Sequence, residues 1–544
     1  MSIKDYIISK FTAAFKSIGL DNPTLDINIP RDNSLGDFSL NSAMTYAKQL
    51  KKNPRDLAHE IIRLINLPDR YIKKAEVAGP GFINLFISDE YFTDKLNEID
   101  ECFGKLNINQ GKTANVEWVS ANPTGPLHTG HGRQIALGKA ISNLLEWTGY
   151  EVTREYYYNN AGRQMDKLAE SVYARYRQII DPDYPFPEDA YHGEYIGEIA
   201  ADLFARYDDK LIDSGNKIFR DAAEQWCFNS IRKTLHRMGI RHDIFFNESS
   251  LYETGKISEI LTHFRDKNLS YEKDGAVWLK ISEINKNAVD KVIVKSSGEP
   301  TYRLPDMAYH IDKIKRGYDL IVDIFGADHA DTSKEVIAGV ASLGYDVSII
   351  KVILHQMVTF VEGGKPVKMS KRADNVYYLD ELLNDVGEDV AQFFFVMRSA
   401  NTHLEFDIEL AKQQSEKNPV FYLQYAHARI CGILRNSFEV FGDKWTDEKI
   451  NLNELKAEEE ISLIKILLNF PDVVETSARW FEPHRIINYL NDVAEAFHRF
   501  YHNLRVIDVR NKTLSLARLK LCVAAKTVLK NGFEIIGISA PERM

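Results

Sequence analysis

Two histidines three residues apart stand in the stretch Val119-Ser120-Ala121-Asn122-Pro123-Thr124-Gly125-Pro126-Leu127-His128-Thr129-Gly130-His131-Gly132-Arg133. The stretch follows a strand-like run, Ala114 to Val119. It opens an apolar-periodic helix with Ile135, Ile141, Leu144 and Leu145 on one face and Gly149 just past its end. Glycines and prolines of this density suit a loop that lets a flat ligand lie against bare backbone. The helix amino terminus behind it offers unpaired N–H groups and a positive dipole end, a seat for phosphate. One helical turn would aim both imidazoles at a single anion. Alone, the stretch reads sooner as a strand–turn–helix connector with two surface histidines.

A second stretch, Glu362-Gly363-Gly364-Lys365-Pro366-Val367-Lys368-Met369-Ser370-Lys371-Arg372, sets a flexible turn before a run of cations. Lys368 and Lys371 flank Met369 and Ser370, so one loop could bring both ammonium groups to a departing pyrophosphate, where charge develops in a transition state. Alone, it reads sooner as a solvated basic loop.

The intervening pattern predicts a scaffold that could join the two. Glu151 to Tyr158 reads as a second strand, running into the polar segment Asn159-Asn160-Ala161-Gly162-Arg163-Gln164, placed where an α/β sheet binds ligands. Residues 166 to about 245 read as a mostly helical insertion with a proline-rich break at 181–187. Tyr271 to Leu279 reads as a hairpin, and Asp319 to Phe325 and Val347 to Leu354 as parallel-type strands. Strands alternating with helices predict a doubly wound, Rossmann-like parallel sheet over residues 111–400.

At 544 residues the chain is too long for one core. Residues 1–110 read as a separate α+β domain. Its Lys48, Lys51, Lys52, Arg55, Lys73 and Lys74 are candidate phosphate contacts or simply solvated surface. Beyond about 400 strand signals vanish and Ile486, Leu490, Val493, Phe497, Phe500 and Leu504 recur at helical spacing. Residues 401–544 therefore read as a helical bundle, for RNA contact or for dimerisation. A net charge of −10 excludes a general polyanion binder and leaves nucleic acid to local basic patches. Cys102, Cys227, Cys431 and Cys522 are scattered without a CxxC pair, against a zinc site or disulfide framework and in keeping with a reducing cytosol. No apolar run spans a membrane, and the amino terminus lacks a signal-peptide core, so the expected location is cytoplasmic.

The two stretches, in this order, resemble the HIGH and KMSKS motifs of class I aminoacyl-tRNA synthetases, and the chain resembles the arginyl-tRNA synthetase family from end to end. The likeness lies in Gly36-Asp37-Phe38-Ser39, the Gly79–Phe86 segment, Asn122 to His128, Asp274 to Leu279, Gly298-Glu299-Pro300-Thr301-Tyr302, Asp306-Met307-Ala308-Tyr309-His310 and Gly326-Ala327-Asp328-His329. It continues in Phe421 to Arg429 and in the closing Ala540-Pro541-Glu542-Arg543-Met544. The resemblance implies a catalytic domain with its loop near 361–375, flanked by an amino-terminal tRNA-binding and a carboxyl-terminal anticodon-binding domain. It implies L-arginine, ATP with Mg²⁺ and tRNA(Arg) as substrates and partners, with no protein-held metal, no membrane, and a monomeric assembly.

Carried over by motif, His128, His131, Lys368 and Lys371 are the catalytic residues. Pro123, Gly125, Leu127, His128, Gly130, His131, Met369 and Ser370 meet ATP. Asn122 holds the amino-acid end of arginine, Glu248 and Asp306 its guanidinium, and Tyr302 and Tyr309 wall the pocket. Phe82 and Asn84 contact the outer corner of tRNA, and Gln424, Arg429 and Met544 its anticodon arm. A guanidinium is planar, permanently charged and rich in donors, so such a pocket needs carboxylates and a flat face. Activation in this family generally requires bound tRNA, and many members lack the second motif lysine that this chain keeps as Lys371. A class I enzyme for another amino acid, a nucleotidyltransferase of the same fold, and a catalytically silent RNA-binding relative are the competing readings.

Overall fold

The computed structural model describes residues 3–30, 32–284, 289–367 and 377–544, so Lys368, Met369, Ser370 and Lys371 lie outside the described residues. The chain forms two compact units. One comprises Met1–Glu101, Gly432–Asn469 and Glu495–Thr527; the other comprises Cys102–Cys431, Phe470–Ala494 and Val528–Met544. The region read as one bundle over 401–544 is therefore shared. Helices Pro419–Phe441, His484–Asn503 and Lys512–Ile536 each run from one unit into the other.

The larger unit is built on a five-stranded parallel sheet of β1 (Thr113–Glu117), β2 (Glu151–Tyr158), β3 (Ile244–Asn247), β4 (Leu320–Gly326) and β5 (Ile350–His355), in the order β5-β4-β1-β2-β3. After β1 the chain turns through helix α1 (Gly132–Trp147), which buries Ile135, Ile141, Leu144 and Leu145 as its periodicity requires. Strand order reverses between β1 and β4, so the carboxyl end of β1 is the topological switch point, where such sheets bind ligands.

The insertion is helical as expected: α2 (Arg163–Ile180), α3 (Glu194–Tyr207) and α4 (Lys217–Arg237) pack around Met165, Tyr176, Ile196 and Phe219, with the proline-rich segment joining α2 to α3. Helices α5 (Arg303–Lys315) and α6 (Ala330–Ser342) flank β4 in sequence and share a core with Phe264, Leu279 and Ile293. The hairpin Ser270–Lys273/Ala276–Leu279 turns on Asp274 and Gly275, both at positive φ, as its twist demands. Several strands were not foreseen, among them Ile244–Asn247, Lys291–Val294 and Val358–Glu362. Leu404–Asp407 pairs parallel to Val358–Glu362, and four residues are too few for periodicity to mark.

The smaller unit holds an antiparallel sheet of Ile27–Asn28, Phe38–Leu40, Phe82–Ile87 and Ile72–Ala78. Its Gly36-Asp37 pair closes that sheet. At φ +98°, Gly36 lets the Leu85 carbonyl come within 2.6 Å of where a Cβ would stand, and the Asp37 carboxylate accepts the Ile87 N–H at 2.7 Å. Among the described residues no helix is long and apolar enough to cross a membrane.

Candidate active site

The phosphate end is assembled from backbone. β1 stops at Glu117 rather than at Val119, because Val119 and Ser120 turn into the left-handed region at φ 75° and 48°. That conformation costs a β-branched residue on the order of 1–3 kcal/mol. Burial of Val119 and a Ser120 hydroxyl bond to Glu117 at 2.9 Å hold it. The Tyr156 hydroxyl then donates to the Ala121 carbonyl (2.8 Å) and that of Tyr195 to the Thr124 carbonyl (2.6 Å), pinning the loop around Pro123 and Gly125. Leu127 is buried beneath it.

A short 3-10 turn, Thr129–His131, leads into α1. The Nδ1 atom of His128 accepts the Gly130 N–H at 3.1 Å, and that of His131 accepts the His128 N–H at 3.2 Å. With both Nδ1 atoms acting as acceptors, each neutral ring carries its proton on Nε2. The rings lie 3.8 Å apart, so the motif does bring its two imidazoles together. Gly132 and Gly138 admit the rings of Phe395 and Trp118, each within 2.5 Å of a Cβ position. The adjoining Arg133 is fully buried and donates to the carbonyls of Gln356, Ser399 and Thr402. Burial pulls its guanidinium down to about 10.

Both sides of the lysine stretch are described although Lys368 to Lys371 are not. Before it, Val358–Glu362 and Lys365–Pro366 form a hairpin turning on Gly363 and Gly364, both at positive φ. After it, the Thr129 N–H donates to the Tyr377 carbonyl (3.1 Å) and the Leu379 N–H to the Leu127 carbonyl (2.8 Å). Residues remote in sequence are thus stitched to the histidine turn.

The amino-acid end is made from side chains. Asn122 accepts the Asn159 N–H at 3.0 Å and donates to Gln164 at 3.2 Å, joining the motif loop to the segment after β2. Glu248, just past β3, receives the Tyr157 hydroxyl (2.6 Å) and the Asn159 amide (2.8 Å). Asp306, on the first turn of α5, meets no hydrogen-bond donor from its carboxylate among the described residues. It is half-buried. Burial first, then Glu117 and Glu248, push its carboxyl up to about 7 against the pull of His310 and Lys313. Tyr309 is buried with its ring against Tyr157 and Phe246 at 4.6 Å. Tyr302 is 59% exposed and lies under the Arg303 guanidinium, 4.7 Å away, so it stands outside this cluster.

Behind the cluster lies a buried charge network. Asp323, Glu117 and Glu155 stand in register on β4, β1 and β2. From α5, the Lys313 ammonium bridges Glu117 (2.5 Å) and Asp323 (2.6 Å). Arg316 forks onto Glu155 at 2.8 Å through two N–H groups, and the Tyr309 hydroxyl donates to the same carboxylate at 2.9 Å. Burial disfavours charge on Asp323, but Lys313 and His310 outweigh it and hold that carboxyl well below the usual range. Sequence reasoning set Asn159 in a ligand-facing segment but passed over Tyr157 and this network. The available signal was the lone Asp323 inside the apolar strand β4, since a buried charge needs a partner.

The expected RNA contacts differ in exposure. Phe82 is partly exposed, whereas Asn84 is 5% exposed with its Oδ1 accepting the Ser39 hydroxyl. Gln424 turns inward to Asp389 and the Ser539 carbonyl, the Arg429 guanidinium lies over the Tyr425 ring, and Met544 is exposed. Asp328 and His329 sit exposed at the carboxyl end of β4, and neither side chain caps the helix that follows. Among the described residues no group of His, Cys, Asp or Glu could hold a metal ion.

The family model for the catalytic domain of class I tRNA synthetases, type R, matches residues 99–405. Those for the arginyl-tRNA synthetase N-terminal domain and the DALR anticodon-binding domain match residues 2–87 and 423–544. The molecule is a class I aminoacyl-tRNA synthetase, an enzyme that uses ATP. It is 47% identical over 530 residues to an arginine–tRNA ligase of Chlorobaculum parvum, covering 96% of each chain. It is 46% identical over 553 residues to that of Chlorobium limicola, covering 100% of each. The Thermus thermophilus arginyl-tRNA synthetase structure shares the fold at 21% identity, with a TM-score of 0.76 and 100% of each chain covered. The chain belongs to the arginyl-tRNA synthetase family, the arginine–tRNA ligases of class I.

Proposed function

We propose that this enzyme selects arginine with Glu248 and Asp306 and activates it at the histidine turn. The observation that carries the reading is the Asp306 carboxylate, left without a donor among the described residues and pushed to about 7 by burial and by Glu117 and Glu248. A guanidinium supplies both the charge and the paired donors that such a carboxylate lacks. Glu248, oriented by Tyr157 and Asn159, offers the second acid. Lysine is too narrow to bridge both, and an uncharged side chain leaves them unpaired. Asn122 holds the α-amino and carboxylate end, with Tyr309 behind the pocket and Tyr302 at its outer rim.

The arginine carboxylate oxygen attacks the α-phosphorus of ATP in line. A mixed anhydride, arginyl-adenylate, forms as the bond to pyrophosphate breaks. The terminal ribose hydroxyl of tRNA(Arg) then attacks the carbonyl carbon, its proton leaves to solvent, and AMP departs. No protein nucleophile takes part, and catalysis is positioning and charge stabilisation. The Nε2–H groups of His128 and His131 and the N–H groups opening α1 meet the phosphates. Pro123, Gly125, Leu127 and Gly130 seat the nucleotide, Met369 and Ser370 close over it, and Lys368 and Lys371 stabilise the pyrophosphate. Mg²⁺ arrives with the triphosphate and shields its charge.

In the same reading, residues 1–110 grip the outer corner of tRNA through Phe82, with the buried Asn84 holding the strand beside it. Residues 111–400 carry the chemistry, and 401–544 read the anticodon arm through Arg429 and Met544, with the inward-turned Gln424 supporting them. The enzyme works as a cytoplasmic monomer. ATP–pyrophosphate exchange with each amino acid in turn, with and without total tRNA, tests it. Exchange with arginine alone, and only when tRNA is present, is the expected result. Exchange with another amino acid, or none from folded protein, would overturn the pocket reading.

A further inference from the structure

His310 is a buried ionisable side chain that the chemistry above does not use. It lies on α5 one turn after Asp306 and is 4% exposed. Its Nδ1 is 2.7 Å from the Asp306 carbonyl oxygen, and its Nε2 is 3.0 Å from Asp323 Oδ2. Both neighbours are acceptors, whereas a neutral imidazole has one N–H and one bare lone pair. A neutral ring would therefore set that lone pair against a carbonyl or a carboxylate. Asp323 does not supply the missing proton, because its other oxygen already takes the Lys313 ammonium at 2.6 Å. Two donors are required, so the ring is an imidazolium. Its titration agrees: burial opposes the charge, but Asp323 outweighs it and raises His310 above the ordinary histidine value.

We propose that His310 is a positioning residue for substrate recognition: clamped as an imidazolium between Asp323 and the Asp306 carbonyl, it fixes that turn of α5 and keeps a share of the Asp306 carboxylate ionised at neutral pH, ready for the guanidinium. The proposal rests on the reading that Asp306 meets the guanidinium. The charges around the pair are few. Glu117 on β1 and Glu248 after β3 disfavour an ionised Asp306, and Lys313 acts on both Asp306 and His310. Glu155 on β2 is neutralised by Arg316. From α6 the approach is apolar, Met307 against Gly339, while Glu335 is taken up by Arg303 and Lys291. From helix Lys256–Asp266, Lys256 and Glu259 pair with Asp312 and Lys315, further along α5. Removing the imidazolium leaves two carboxylates and burial to drive Asp306 neutral, and a protonated carboxyl cannot accept two parallel guanidinium N–H bonds.

The test is calorimetric arginine binding to the full chain between pH 6 and 9, for wild type, His310→Gln and Asp306→Asn. Gln retains a donor toward Asp323 but no charge. Loss of a buried neighbouring cation moves the pH at which arginine affinity falls upward by about one unit or more. His310→Gln should therefore bind weakly below pH 8 and recover toward wild type at pH 9. Uniform weakening at every pH, or an unmoved profile, would sink the proposal while Asp306→Asn still abolished binding. If Asp306→Asn binds arginine as wild type does, the pocket reading itself fails and the proposal falls with it. Selective ¹⁵N-histidine NMR of the wild-type chain, with the His310 resonance assigned by its loss in His310→Gln, gives a readout independent of activity. Both ring nitrogens should remain protonated to at least pH 8, and a neutral ring at pH 7 would contradict the clamp.

Discussion

The two ends of the active site are built by different means. The phosphate end is local: a loop turned by Val119 and Ser120, two histidines capped by neighbouring N–H groups, and a helix start, all within fifteen residues. The amino-acid end is assembled from β1, β2, β3, β4 and α5, and its acids are set by charges behind them. Phosphates can be held by backbone dipoles that many sequences supply. A guanidinium demands anionic groups held in a cleft, and those must be held by something else. In the proposed reading, the generic function rests on backbone and the specificity on a long-range electrostatic scaffold.

If that division is right, the scaffold is where the fold is most easily broken. Lys313→Met leaves Glu117 and Asp323 buried and uncompensated, and should lower unfolding stability by about 3–5 kcal/mol in urea titration. A loss under 1 kcal/mol would mean the carboxylates are protonated or wet. Asp306→Asn should lower kcat/KM for arginine by the equivalent of about 2–5 kcal/mol. The same change should make the ligand-free protein more stable at pH 8. An acid raised from 3.8 to about 7 holds its proton more tightly when folded. It therefore subtracts stability as pH rises through that interval, by a few kcal/mol at about 1.4 per unit. No gain in Tm would show that the carboxyl is better solvated than its burial suggests.

At the other end, His131→Ala should reduce kcat about 10²- to 10³-fold, as loss of one transition-state donor does, while arginine affinity stays within about threefold. A matching collapse of arginine affinity would erase the distinction between the ends. The smallest effect is expected from Tyr157→Phe, which removes one hydrogen bond to Glu248 and should weaken arginine binding by about 1 kcal/mol in the same titration.

Legibility in the sequence follows the same line. The histidine stretch, the start of α1, the span of β2 and the helical insertion could be read because their signals are local and periodic. Val119 could not be read as a left-handed residue, since a valine there defies its own preference and only its burial holds it. Tyr302 shares its stretch with Asp306 and was grouped with it, yet the first turn of α5 leaves its ring exposed beneath Arg303. Glu117, Glu155 and Asp323 are scattered over two hundred residues and become one cluster only when parallel register aligns three strands. The sharing of the three carboxyl-terminal helices between two compact units was equally invisible, because helical periodicity reports that a face is buried and not against what.

The central claim is that a half-buried Asp306 waits partly protonated for a guanidinium, and proton release on arginine binding tests it most directly. Calorimetry at pH 7 in buffers of different ionisation enthalpy should show up to about half a proton released per arginine bound, since a carboxyl near 7 is about half ionised there. The release should shrink toward zero by pH 8.5 and be absent in Asp306→Asn. Arginine binding without proton release at pH 7, or release that survives Asp306→Asn, would contradict the account.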